Sequence, residues 1–223
     1  LDELARELDI VIVISSGNRS DPPIPQDVLT REQFQEAVRN NLLMDSGQRL
    51  CNPATAALAL TVGAIASSES LGQHDTYDGL RLRDAFAAAP LNTPSPFTRV
   101  GPGYASNASS PPVKPEFVGY GCNYALLSLA GGSPRWAKQH PNLGEPTLRL
   151  GQDGRFIGSR VGTSFAAPHI AHAAAMAMAS LESTLARQPS ANLIRALVGS
   201  SAASPCPEGW LHEEENVLRS VGY

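Results

Sequence analysis

Two hydrophobic periods alternate at the start of the chain. Leu1, Leu4, Ala5 and Leu8 recur at helical spacing, and Asp9 ends the pattern. Ile10-Val11-Ile12-Val13-Ile14 follows at once, a continuous β-branched run of the kind carried by a strand covered on both faces. Small polar residues, Ser15, Ser16, Gly17 and Asn18, then stop it. The unit is a helix feeding a strand, and a strand's carboxyl end is where sites form in parallel α/β sheets. Leu58 to Ile65 predicts a second buried strand. Phe117-Val118 and Ala125 to Leu129 predict short ones. Leu148 to Leu150 and Arg155 to Ile157 predict a hairpin around Gln152-Asp153-Gly154, with Asp153 as a turn residue. Helices are expected from Thr30 to about Met44, with Thr30 and Gln33 as a capping box, from Thr163 to Leu181, and from Ser190 to Val198 after Pro189.

This order of elements predicts an α/β fold, a mostly parallel sheet with helices on both faces. Residues 1–223 read as part of one domain. Residues 19–50 and 66–112 read as insertions or surface loops. In the second of these, Asn92 to Pro112 is rich in Pro, Ser, Gly and Asn, with Phe97, Val100 and Tyr104 as anchors. A helix feeding a strand covered on both faces needs further parallel strands and crossovers, so the sheet is expected to be incomplete at its N-terminal side. The isolated chain should then expose apolar surface and dimerise, bind a partner or dissolve poorly. Val161 to Leu181 carries no Asp, Glu, Lys or Arg. It is mostly Ala, with Pro168, His169 and His172 inside, which predicts a close-packed buried helix and no membrane span.

Composition narrows the picture. With 223 residues, 42% of them hydrophobic and 17% charged, the chain is no collagen, disordered polyampholyte or small disulfide scaffold. A net charge of −4 without a basic stripe argues against a nucleic-acid partner. The 3 cysteines, Cys51, Cys122 and Cys206, are an odd number and too dispersed for a CxxC-type zinc site. Together with the charged opening segment, they lean toward an intracellular location, the compartment being otherwise unknown.

The strongest chemical signal is Gly162-Thr163-Ser164-Phe165-Ala166-Ala167-Pro168-His169. Here a serine sits where the chain turns into a small-residue helix. The first N–H groups of a helix lack partners and the dipole's positive end points outward. A serine there can present its Oγ while its N–H faces a developing oxyanion. Gly162 allows close backbone approach by a substrate. Pro168 removes the usual helical partner of the Ser164 carbonyl. The alternative is that Ser164 only caps the helix.

This segment resembles the nucleophile motif of the subtilisin-like serine peptidases, the subtilases. Other segments match that family in the same order: Val11 to Asn18, Pro53-Ala54 with Thr61-Val62-Gly63-Ala64, Pro96 to Gly103, and Lys114-Pro115-Glu116-Phe117-Val118. The resemblance implies a subtilisin-like fold and an endopeptidase working through an acyl-enzyme on a polypeptide substrate. Ser164 would be the nucleophile. The Asn18 side chain and the Ser164 N–H would bind the oxyanion. Ser15, Ser16 and Gly17 would line the primary specificity pocket, with Gly162 and Thr163 at the substrate. Read alone, Asn18 is a turn residue tolerant of a left-handed conformation, or part of an Asn18-Arg19-Ser20 glycosylation sequon.

The family triad runs Asp, His, Ser in chain order. Neither the Asp nor the His finds a position in this sequence. Both are expected upstream of the Asn18 strand, in the same domain or on a partner chain, leaving this segment inactive alone. Gly119-Tyr120-Gly121 replaces the usual APG, and His172 replaces a usual Gly. His169 lies about 140° round the helix from Ser164 and His172 about 12 Å along it, so neither reaches the hydroxyl. His74 and His212 remain candidate bases. His74-Asp75-Thr76-Tyr77-Asp78 gathers possible metal ligands without matching a metal template. No organic cofactor is implied, and calcium enters by family resemblance only. Glu213-Glu214-Glu215 reads as a solvated face or the first turn of a terminal helix. The rival to the peptidase reading is a catalytically inactive piece that keeps the fold for binding or scaffolding, and a homo-oligomer is an alternative partner arrangement.

Overall fold

The computed structural model describes residues 1–19, 21–24, 30–45, 47, 49–72, 76–77, 80–102, 113–129, 133–148, 156–211 and 214–222. In chain order the elements are α1 (Asp2–Glu7), β1 (Val13–Ser15), α2 (Arg31–Met44), β2 (Leu60–Ile65), β3 (Thr76–Tyr77), β4 (Leu80–Ala87), β5 (Phe117–Tyr120), β6 (Ala125–Leu129), β7 (Arg135–Ala137), β8 (Glu145–Leu148), β9 (Ile157–Arg160), α3 (Thr163–Leu185), α4 (Ala191–Ser200) and α5 (Glu214–Ser220).

A parallel sheet in the order β1-β2-β5 carries the site. Val13 pairs with Leu60, and Val62 with Phe117. Every residue of the central strand β2 is buried, as its Leu, Val and Ile content requires of a strand flanked on both sides. The β-branched run before Ser15 behaves differently. Only Val13–Ser15 pairs as β1, its residues are half-buried, and Ile10 stays 40% exposed. Among the described residues β1 is an edge strand, paired with β2 alone and packed against α3, so part of its surface stays open.

An antiparallel sheet in the order β3-β4-β6-β7 stands beside it, and β8 and β9 form a separate hairpin. Its described strands pair Glu145 with Arg160 through Leu148 with Ile157, and residues 149–155, with the expected turn at Asp153, lie outside the described residues. β4 escaped the sequence reading because Arg81, Arg83 and Asp84 interrupt its apolar residues. Helix α2 starts as predicted. Thr30 Oγ1 accepts from Gln33 N at 3.2 Å, and Gln33 Oε1 accepts from Thr30 N at 3.2 Å. Phe34 of α2 joins an aromatic cluster with Phe86, Trp136, Tyr124 and Phe97, at centroid separations from 5.0 to 6.5 Å. This cluster ties the 19–50 insertion into the core.

Two further expectations change. Residues 93–98, read as surface loop, are buried. Ala66 N donates to Thr93 O at 2.9 Å and Ser95 N to Ala64 O at 2.9 Å, so the segment extends the carboxyl end of β2. Its polar side chains are satisfied inside: Ser95 Oγ donates to Cys122 O at 2.7 Å, and Thr98 Oγ1 accepts from Ala64 N at 2.9 Å. A polar, Pro-rich composition reads as loop because that internal pairing is invisible in it. Tyr104 lies outside the described residues. Helix α3, read as buried, buries only Thr163, Ala166 and Ala174, and Met176 is 59% exposed. It packs along β1, β2 and β5 with α4 beside it. Among the described residues nothing covers its remaining apolar face.

Two buried or capping carboxylates fix the strand ends. Asp2 accepts from Leu58 N at 2.7 Å and Ala57 N at 3.0 Å, pinning α1 to the entry of β2. The Leu58 bond is the main reason its carboxyl sits below the ordinary value. Lys114, fully buried, pairs with Glu116 and donates to Ala59 O at 2.8 Å and Thr61 Oγ1 at 3.3 Å. Burial raises the Glu116 carboxyl despite the Lys114 charge.

Candidate active site

The carboxyl ends of β1, β2 and β5 meet the N-terminus of α3. Gly121 N donates to Ile65 O at 3.1 Å, and Gly162 N donates to Gly121 O at 3.0 Å. This junction needs glycine. A Cβ on Gly121 would lie 2.5 Å from Ala64 Cβ and 2.9 Å from Gly162 O, and one on Gly119 would lie 2.9 Å from Ala166 O. The Gly119-Tyr120-Gly121 departure from the family pattern therefore serves the seating of α3 on the sheet. Gly162 itself has φ 156° and ψ 155°, a region open essentially to glycine alone.

Ser164 is the second residue of α3 and is exposed. Its N–H belongs to the first turn, where no intrahelical acceptor exists. Asn18, also exposed, follows β1 and reaches across to the same helix start. Its Oδ1 accepts from Thr163 N at 2.9 Å and Thr163 Oγ1 at 3.1 Å. Because a backbone N–H can only donate, the atom it meets must be Oδ1. The Nδ2 group of Asn18 is thereby turned away from Thr163 and lies 3.1 Å from the position a Cβ on Gly162 would take. Asn18 is thus anchored at the start of the helix whose second residue is the exposed Ser164, at the positive end of the helix dipole.

The other predicted residues fall as follows. Thr163 is buried and spends its side chain on Asn18. Ser15 is half-buried at the end of β1. Ser16 is buried and points inward, its Oγ 3.2 Å from Thr98 Oγ1. Gly17 has φ 92° and leads directly into Asn18. Three residues brace the segment, and their bracing role is not legible in the sequence, although Thr98 and Arg99 lie in the Pro96 to Gly103 match. Thr98 joins Ser16 to the Ala64 N–H. Arg19 is buried, donates its N–H to Phe97 O at 2.8 Å and its Nη2 to Asn41 of α2, and is pulled down to about 10 by burial. Arg99 donates its N–H to Gly17 O at 3.2 Å.

The histidines do not supply a base within the described residues. His169 and His172 are exposed on α3. His140 is buried elsewhere, its Nδ1 accepting from Asn142 N at 3.3 Å and its carbonyl from Ser159 Oγ at 3.0 Å. His74, Asp75, Asp78, His212 and Glu213 lie outside the described residues, and α5 begins at Glu214. Cys51, Cys122 and Cys206 are free thiols, and burial pushes Cys206 up to about 11. Among the described residues no cluster of His, Cys, Asp and Glu could hold a metal ion. No described helix is long and apolar enough to cross a membrane.

The parallel sheet with its carboxyl ends against a helix N-terminus, where Asn18 meets the turn that carries Ser164, defines the class as an α/β domain. The Subtilase family profile matches residues 1–223, and the chain belongs to that family. It is 36% identical over 211 residues to y4bN, an uncharacterized protein of Sinorhizobium fredii (strain NBRC 101917 / NGR234). That match covers 92% of this chain and 43% of the relative, so the chain spans less than half of the relative's length. No solved structure matches.

Proposed function

We propose that the full-length protein is a serine endopeptidase in which this chain supplies the nucleophile and the oxyanion site. Ser164 Oγ attacks a peptide carbonyl. Asn18 Nδ2 and the Ser164 N–H take up the charge that develops on the carbonyl oxygen. A histidine removes the serine proton and passes it to the leaving amine, and an aspartate orients that histidine. Both come from outside the described residues, on the upstream part of the same domain or on a partner chain. Water then releases the acyl group. The observation that carries this reading is the pair of hydrogen bonds from Thr163 to Asn18 Oδ1, which anchors Asn18 at the helix start, on the residue next to Ser164 in sequence, and turns its amide hydrogens away from Thr163.

The site of that upstream part is also proposed. β1 has a free edge, and beside it runs an apolar groove lined by Ile10, Val11, Val13, Ala171, Ala174, Met178 and Ile194. The elements that bring the base would cover this groove.

The rival reading is a non-catalytic member that uses the fold for binding. It draws support from Ser164 having no hydrogen-bonded histidine among the described residues. Hydrolysis of a fluorescent casein by the full-length protein separates the two. Turnover that Ser164→Ala abolishes supports the peptidase. Equal turnover in the two proteins, or none in either, supports the rival.

A further inference from the structure

Resting on the peptidase reading above, we propose that Ser15, Ser16 and Gly17 line the primary specificity pocket, that Arg99 is its specificity-determining residue, and that the protein prefers polypeptides with Asp or Glu at the residue whose carbonyl Ser164 attacks.

On that reading, the side chain of the residue whose carbonyl Asn18 and Ser164 hold lies along Ser15, Ser16 and Gly17, the segment leading into Asn18. That segment ends in Gly17, which has φ 92° and no side chain to close the wall. What stands behind the gap is Arg99. A Cβ on Gly17 would lie 3.3 Å from Arg99 Cδ and 3.6 Å from its Nε. The Arg99 N–H holds Gly17 O at 3.2 Å, and Thr98 bridges Asn18 in an antiparallel pair, so the arginine is keyed in register to the oxyanion loop.

The guanidinium is only partly satisfied. Nη1 donates to Gly47 O at 3.1 Å and Arg49 O at 2.9 Å. Among the described residues Nε and Nη2 have no hydrogen-bond partner, and no carboxylate pairs with Arg99. A strut between two loops would need Nη1 alone. The pair left over, Nε and Nη2, is the side-on edge of the guanidinium, whose spacing matches the two oxygens of a carboxylate. Arg99 is half-buried, which lowers the screening a surface arginine would suffer. The Arg49 guanidinium donates to Gly101 O in the same region, again without a carboxylate, and adds a second positive charge.

The test uses the full-length protein carrying Ser164→Ala, so that bound peptide is not consumed. Fluorescent peptides identical except for a C-terminal Glu or Gln are titrated by anisotropy at low salt. The expected result is at least about tenfold tighter binding of the Glu peptide, the scale of a charge-assisted bidentate contact. That preference should vanish in Arg99→Met and survive in part in Arg99→Lys. Equal affinity for the two peptides overturns the proposal, and needs no Arg99 variant to fold. A Glu preference that persists in Arg99→Met also overturns it, as does failure of both peptides to bind while a fluorophosphonate still labels Ser164 in the wild type. Absence of labelling and of binding together overturns the peptidase reading, and this inference with it.

Discussion

At the residue scale, the site depends on which way one amide faces. Thr163 makes both bonds to Asn18 Oδ1, and the donors of Asn18 are directed by what its acceptor is doing. Asn18→Ala in the full-length protein should lower kcat by about 10²–10³-fold with KM little changed, the scale known for the corresponding subtilisin asparagine. Thr163 is a positioning residue on this account. Thr163→Val removes one bond of about 1 kcal/mol net, which predicts a loss of about fivefold in kcat. Thr163→Ser should restore it, an outcome that a purely packing role for the methyl group would not give. Ser164 and Asn18 were legible in sequence because each lies in a contiguous motif whose residue types are demanded by chemistry. The orientation of Asn18 was not, because it is set by a residue 145 positions away. The contact of Thr98, which lies in the Pro96 to Gly103 match, with Ser16 was not legible for the same reason, the two being 82 positions apart.

At the element scale, the junction of β5 with α3 decides how Ser164, the proposed nucleophile, is presented. Gly121→Ala would push a methyl group against Ala64 Cβ and Gly162 O, and overpacking of this kind costs about 1–3 kcal/mol. Urea denaturation should show a lower midpoint, with a fall in Ser164 reactivity alongside it. Helix α1 offers a pH test. The folded pKa of Asp2 is depressed by the Leu58 and Ala57 N–H groups, so its contribution is present when the carboxylate is ionised and is lost as pH falls through the depressed value. The wild type should be more stable than Asp2→Asn near neutrality, and the difference should close below the ordinary carboxylate range near pH 4. A gap independent of pH would contradict the assignment. Elements with local rules, such as the Thr30 capping box, followed the sequence closely. Strand β1 came out shorter than its β-branched run because side-chain pattern reports hydrophobicity while pairing depends on neighbours, and one neighbour is missing.

At the scale of the whole molecule, one side stays unfinished. Leu4 is 49% exposed, Leu8 61%, Met176 59% and Ile10 40%, and among the described residues β1 is an edge strand paired with β2 alone. The 223-residue chain alone should bind an apolar-surface dye and self-associate in analytical ultracentrifugation. A monodisperse monomer without dye binding would contradict this. The fold class was legible because helix and strand periods alternate. The exposure of α3 was not, since an alanine-rich stretch without charge reads as buried whether or not its cover is present. The central claim, that Ser164 is an activated nucleophile completed by groups outside the described residues, is tested most directly by fluorophosphonate labelling with peptide mapping. The account predicts an adduct on Ser164 in the full-length protein and none in the 223-residue chain alone. No adduct in either form would contradict it and leave a binding protein with a peptidase fold.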